Sequence, residues 1–143
     1  MKAIILSAGQ GSRLLPLTED TPKCLLPIGR QSVVEHQIRG LYSAGVREVA
    51  VVTGFHAGTV HRHLQALELD GLQVHTVFNP FFNVADNLAS CWMAREHMRG
   101  DFLILNGDTL FEPALCERLL AAPDAPITLA VDRKDAYDSD DMK

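Results

Sequence analysis

The chain has 143 residues, 47% hydrophobic and 22% charged, the composition of one ordinary globular domain rather than a disordered or low-complexity segment. A formal charge of −5 argues against general affinity for nucleic acid, and no apolar run approaches the ~18 residues of a membrane helix. Cys24, Cys91 and Cys116 form neither a CxxC pair nor a disulfide framework, and the opening Met1-Lys2-Ala3-Ile4-Ile5-Leu6 is broken too soon to be a signal peptide, so a cytoplasmic location is expected.

Residues 2–7 predict the first strand, with the run 3–6 apolar throughout. A connection of more than twenty residues follows, holding Gly9, Gly11, Pro16, Pro22, Pro27 and Gly29. Most strand-to-helix loops have about two to six residues, and long ordered ones are usually functional. Ser32-Val33-Val34-Glu35 is a capping box that opens a helix over 32–45, with Val34, Ile38 and Leu41 on one face. Residues 47–53 predict a second strand, and Val60, Leu64 and Leu67 a helix closed by Asp70-Gly71. Residues 72–78 form a strand whose alternation suits a place near an edge. Asp86 or Asn87 caps a helix running to Gly100. Residues 101–106 predict a further strand, Pro113 opens a helix near 113–121, and 126–132 reads as a last strand, also alternating and edge-like. The uninterrupted apolar runs 3–6, 49–52 and 102–105 are expected of central parallel strands covered on both faces. The alternation of strands and helices predicts one α/β domain: Rossmann-like, three-layered α/β/α, with a mostly parallel sheet and sites at the carboxyl ends of its strands.

The long first connection is the candidate site. Small residues after a buried strand let backbone N–H groups approach an anion, Arg13 adds a planar fork for phosphate oxygens, and Lys23 adds a point charge. Through residue 30 four basic residues (Lys2, Arg13, Lys23, Arg30) face two acidic ones (Glu19, Asp20), so an acidic protein keeps a locally positive loop. A bare G-x-G is also what a tight turn carries. The dinucleotide fingerprint is excluded by Leu14 at its third glycine position and by Pro16 and Pro22 where a helix should begin; a P-loop string is absent.

The longer string L-S-A-G-x-G-S-R-L-x-P-L-T-x-x-x-P-K-x-L-L-P-I, over residues 6–28, closely resembles the signature of the nucleotidyltransferases, the nucleoside-diphosphate-sugar pyrophosphorylase superfamily. The resemblance implies that the backbone at Ala8, Gly9, Gly11 and Ser12 holds a nucleoside triphosphate. It also implies that Arg13 neutralises departing pyrophosphate and that Lys23 contacts the reacting phosphates. Strand 102–105 ends in Asn106-Gly107-Asp108. From position alone, capping the next turn accounts for Asp108 as well as a catalytic role does. The resemblance implies that Asp108 binds Mg²⁺, an ion that takes carboxylates together with substrate phosphates.

Residues 79–90 carry neither the Gly-Leu-Ala nor the Gly-Thr-Ala motif of sugar-nucleotide members. They look more like the N-P-x-Y…N-N-x-x-S-L segment of cytidylyltransferases acting on phosphocholine and related alcohol phosphates, departing from it at Phe82 and Asp86. Asn79, Asn87 and Ser90 are therefore candidate nucleotide-side or pocket residues, against a plain reading as turn and N-cap. The six histidines read as surface or core residues; His61 and His63, two apart on a helix, suit one metal poorly. Trp92 and Met93 read as core, Cys24 has no mark of a nucleophile, and the acidic stretch Asp132 to Asp141 reads as a solvated segment that again looks like the cytidylyltransferase branch.

The expectation is a nucleotidyltransferase fold in its N-terminal part. Residues 1–143 would be the NTP-binding domain, lacking the C-terminal acceptor-binding part that the resemblance assigns to later segments. The implied reaction is Mg²⁺-dependent transfer of a nucleoside monophosphate, from CTP by preference, to a phosphocholine-like or polyol phosphate, with release of pyrophosphate. Sugar-1-phosphate uridylyl or thymidylyl transfer, and a nucleotide-binding or regulatory module without turnover, are the alternatives. The implied partners are a nucleoside triphosphate and a small phosphorylated acceptor, with no nucleic acid and no membrane.

Overall fold

The computed structural model of the protein describes residues 1–131. The elements in chain order are β1 (Lys2–Ser7), the short antiparallel pair β2 (Pro27–Ile28) and β3 (Gln31–Ser32), α1 (Val33–Ser43), β4 (Glu48–Thr53), α2 (Ala57–Gln65), β5 (Gln73–Phe78), α3 (Asn87–Met93), β6 (Phe102–Asn106) and α4 (Pro113–Leu120). Local signals set several of these boundaries. Ser32 and Glu35 form the capping box of α1: the Glu35 N–H donates to Ser32 Oγ (3.3 Å) and the Ser32 N–H to Glu35 Oε2 (3.0 Å). Asp86 caps α3 by accepting from the Leu88 N–H at 3.0 Å.

β5, β4, β1 and β6 form a parallel sheet in that order. Alternate residues of the strands face two cores. Ala3, Ile5, Val49 and Val51 pack against Val34, Ile38 and Leu41 of α1, Val60 and Leu64 of α2 and Cys116 of α4. Ile4, Leu6, Ala50 and Val52 pack against Ala94, Cys91 and Phe82 on the other face. The result is the expected three-layer α/β/α arrangement. The chain steps outward from β1 through β4 to β5 and then returns to the far side of β1 as β6. Strand order thus reverses between β1 and β6, and crevices at such a reversal are where open α/β sheets bind ligands.

Four expectations are corrected. Residues 126–131 are not a strand: their alternation is genuine, but among the described residues no strand pairs with them, and Ile127, Leu129 and Val131 are 75–80% exposed. Residue 132 and the acidic stretch to Asp141 lie outside the described residues. β6 is an edge strand rather than a central one, with Ile104 46% exposed, because no further strand flanks it among the described residues. α3 ends at Met93 and a separate 3₁₀ turn covers Arg95–His97, so no single helix reaches Gly100. Trp92 is on the surface, with the Arg95 guanidinium 4.8 Å from its ring centroid, because Ser90 and Ala94 occupy the buried side of that segment. Among the described residues no helix is long and apolar enough to cross a membrane.

Candidate active site

The loop after β1 is shaped by three small residues and one threonine. Ala8 is still buried, and its carbonyl accepts from the Phe55 N–H at 2.9 Å. Gly9 is exposed, with open space where a Cβ would stand. Gly11 is left-handed (φ 76°), and a Cβ there would press on the aliphatic stem of Lys23 at 3.0–3.3 Å. A single 3₁₀ turn, Ser12–Leu14, follows instead of a helix, in keeping with the prolines downstream. Thr18 is fully buried and donates its hydroxyl to the Gly11 carbonyl (2.8 Å), which also accepts from the Leu14 N–H (2.9 Å). With that carbonyl engaged inside the loop, the N–H groups of residues 9–12 donate to no backbone carbonyl among the described residues. Successive unengaged N–H groups of this kind suit an anion.

The end of β6 meets the loop from the other side of β1. The Gly107 N–H donates to the Leu6 carbonyl at 2.8 Å. A Cβ on Gly107 would overlap Ser7 Oγ and stand 2.6 Å from the Leu6 carbonyl oxygen, so only glycine lets the chain cross here. The next residue is Asp108. Its Oδ2 lies 2.5 Å from Lys23 Nζ, so the tertiary fold joins two candidate residues that are 85 positions apart. Both remain partly open to solvent. They line a cleft of about 390 Å³ whose other walls include Leu14, Leu17, Leu26 and Ile28. Arg13 is exposed on the same loop. A larger cavity, about 480 Å³, lies between α1 and residues 110–113 and includes neither Lys23 nor Asp108; the Lys23–Asp108 pair lines the smaller cleft.

The 79–90 candidates divide. Asn87 Nδ2 donates to Asn106 Oδ1 at 3.1 Å, which places it next to the Gly107-Asp108 turn. Asn79 and Ser90 are buried and bonded to each other, Asn79 Nδ2 donating to Ser90 Oγ at 3.1 Å. Asn79 Oδ1 accepts from the Phe81 N–H (2.9 Å), the plain turn reading. These two shape the segment rather than face the cleft. Cys24, inside the signature, is buried beside Ser7; burial pushes its thiol up to about 11, partly offset by the Ser7 hydroxyl, which leaves it un-nucleophilic at neutral pH. His63 Nε2 lies 2.9 Å from Ser32 Oγ and His61 Nδ1 3.0 Å from Thr76 Oγ1, so the two histidines do serve different surroundings.

Among the described residues no three His, Cys, Asp or Glu side chains are grouped to hold a metal ion. The donor at the cleft is one hard carboxylate, Asp108. That set fits Mg²⁺, which is bound through one or two carboxylates with substrate phosphates completing its shell, and does not fit an all-protein cage.

The nucleotidyl transferase family profile matches residues 2–136 of the chain. The chain belongs to the nucleotidyl transferase family. It is 39% identical over 130 residues to CMP-5'-(3-aminopropyl)phosphonate synthase of Streptomyces rubellomurinus, a match covering 91% of this chain and 20% of that one. It is 29% identical over 139 residues to CTP:phosphoglutamine cytidylyltransferase of Campylobacter jejuni, covering 93% and 53%. The solved CTP:phosphocholine cytidylyltransferase of Streptococcus pneumoniae superposes with a TM-score of 0.66 at 27% identity, over 79% of this chain and 49% of that one. The chain therefore spans from a fifth to about half of these relatives. Several residues that shape the candidate site carried no separate role in the sequence. Thr18 and Gly107 stood inside the quoted strings, whereas Gln37, on the face of α1 toward β6, carried no local signal at all.

Proposed function

We propose that this nucleotidyl transferase domain binds a nucleoside triphosphate, CTP by preference, and serves transfer of its nucleoside monophosphate to a small phosphorylated acceptor. The observation that carries the reading is that the loop after β1, whose Gly11 packs on the Lys23 stem, and the Lys23–Asp108 pair lie together at the strand-order reversal. In the proposed reaction an acceptor phosphate oxygen forms a bond to the α-phosphorus in line as the bond to pyrophosphate breaks, and no covalent enzyme intermediate forms. The chain's part is positioning and charge: the loop N–H groups hold phosphate oxygens, the Arg13 fork takes charge developing on the pyrophosphate, and Lys23 supplies a mobile cation at the reacting phosphates. Asp108 would hold Mg²⁺, which when bound neutralises phosphate charge.

The preference for CTP is supported by the cytidylyl relatives and by a 79–90 segment without the glycine-rich sugar-nucleotide motif. The share of the relatives covered supports a companion proposal: residues 1–143 carry the nucleotide side of the site, and the acceptor is held by groups outside them. Titration of CTP, UTP, ATP and GTP by calorimetry with Mg²⁺ is the test, with CTP expected to bind tightest. Clear preference for UTP or a purine nucleotide would overturn the cytidylyl reading, and failure of all four to bind would overturn the site.

A further inference from the structure

Gln37 is on the apolar face of α1, between Val34 and Ile38 and Leu41, and is 1% exposed. A buried amide costs free energy unless it is hydrogen-bonded. Its Nε2 donates twice, to the Asn106 carbonyl at 2.8 Å and to the Thr109 carbonyl at 2.8 Å. Those carbonyls are the two ends of the turn that carries Asp108, itself closed by the Thr109 N–H donating to the Asn106 carbonyl (3.2 Å). The amide's own oxygen is buried with no partner among the described residues. Turning the amide over would set that oxygen against two carbonyl oxygens, so its orientation is decided by chemistry. A leucine or methionine would fill the same space without an orphaned acceptor. What only glutamine provides here is the pair of donors.

Two more contacts hold the turn and the chain just after it. Gly107 lies directly on the β1 backbone, and Gly40 of α1 lets Phe111 approach so closely that a Cβ would stand 2.9 Å from its ring. The turn is thus held from β1 below and from α1 behind, while the Asp108 carboxylate projects to the cleft beside Lys23. We propose that Gln37 is a positioning residue for the metal carboxylate: its two N–H bonds pin the 106–109 turn and set where Asp108 stands when it holds a divalent cation. The inference rests on the metal reading of Asp108. Residues that orient a metal ligand from behind typically change metal affinity by about 10- to 100-fold when replaced.

The test uses residues 1–143, with Mn²⁺ as the probe cation and CTP as the nucleotide. CTP affinity is measured by calorimetry in EDTA and again with Mn²⁺, and water-proton relaxation reports the Mn²⁺ environment directly. In Gln37→Met, and in Gln37→Glu, which keeps the shape but cannot donate to both carbonyls, the metal-linked gain in CTP affinity should fall on the order of tenfold. Affinity in EDTA should stay within about twofold if only the metal carboxylate has been displaced. An unchanged gain in either folded variant, or an equal loss with and without metal, overturns the proposal. Should both variants unfold, NMR of the wild type still decides it: the Gln37 side-chain NH₂ protons, held by the Asn106 and Thr109 carbonyls, should exchange far more slowly than those of an exposed amide, and exchange at the exposed rate overturns the clamp. Asp108→Asn separates the two readings. If it leaves the gain intact, the metal assignment fails and this inference falls with it; if it abolishes a gain that the Gln37 variants retain, only the role of Gln37 fails.

Discussion

Lys23 Nζ and Asp108 Oδ2 lie 2.5 Å apart at the cleft mouth, joined across the strand-order reversal between β1 and β6. Lys23 comes from the loop after β1, and Asp108 from the turn after β6. Both side chains are about a third or more exposed, and exposed ion pairs contribute only about 0–1 kcal/mol to stability. Stability therefore gives little account of their juxtaposition, in keeping with the proposed role at the phosphates.

Asp108→Asn and Lys23→Ala should therefore each change unfolding free energy by less than about 1 kcal/mol in urea melts. Their effects on nucleotide should differ. Asp108→Asn should remove most of the Mg²⁺-dependent part of CTP affinity, whereas Lys23→Ala should weaken CTP with or without Mg²⁺. A loss of several kcal/mol of stability from either change would make the pair structural instead.

Arg13 is tested by the length of the phosphate chain. A guanidinium that grips the pyrophosphate portion should matter for CTP and not for CMP. Hydrogen bonds to charged groups are worth roughly 1.5–3 kcal/mol before exposure reduces them, so Arg13→Ala should weaken CTP about tenfold. Arg13→Lys should restore part of this, since charge returns without the fork. Equal loss of CTP and CMP would move Arg13 away from the pyrophosphate.

Two glycines separate fold from function. Gly9 has no heavy atom within 4 Å of a would-be Cβ, whereas one on Gly107 would stand 2.6 Å from the Leu6 carbonyl oxygen. Gly9→Ala should leave the melting curve in place and weaken CTP, because the methyl group intrudes where phosphate approaches. Gly107→Ala should cost about 1–3 kcal/mol of stability, since the atoms it meets include backbone that has little freedom to move. Destabilisation by Gly9→Ala with CTP affinity unchanged would reverse these roles.

The cysteines give a prediction about pH. Burial raises the Cys24 thiol from its ordinary 9.0 to about 11, and also raises Cys116 and the half-buried Cys91. Between 9.0 and about 11 the unfolded Cys24 has lost its proton while the folded one keeps it, so its effect on stability becomes less favourable as pH rises through that window. Iodoacetamide at pH 8 should label Cys91 first, and Cys24 and Cys116 only once urea opens the fold, as mass spectrometry of tryptic peptides would show. Prompt labelling of native Cys24 would contradict its burial.

The readings that held rest on short-range chemistry. The Ser32–Glu35 capping box, the Asp86 cap and the alternation of β5 depend on residues within a few positions of one another. The candidate loop is also local: its glycines, Arg13 and Lys23 fall in one stretch, and the structure places Lys23 beside Asp108, while the phosphate role stays a proposal. Trp92 and residues 126–131 misled because apolar character says that a residue can be buried, not that a neighbour exists to bury it. Asn79 and Ser90 show the converse, two polar side chains satisfied inside the fold by each other.

By itself the sequence determined the α/β alternation, the loop that suits phosphate, and the family signature over residues 6–28, since each is written in local spacing and residue type. Only the tertiary structure decided which strand lies beside β1, and hence that Asp108 reaches Lys23 and that Gln37 stands behind Asp108. Those pairings join residues about 70 to 85 positions apart. They exist because β6 returns across β1 and sets the ends of distant strands side by side, a consequence of packing that no local pattern encodes.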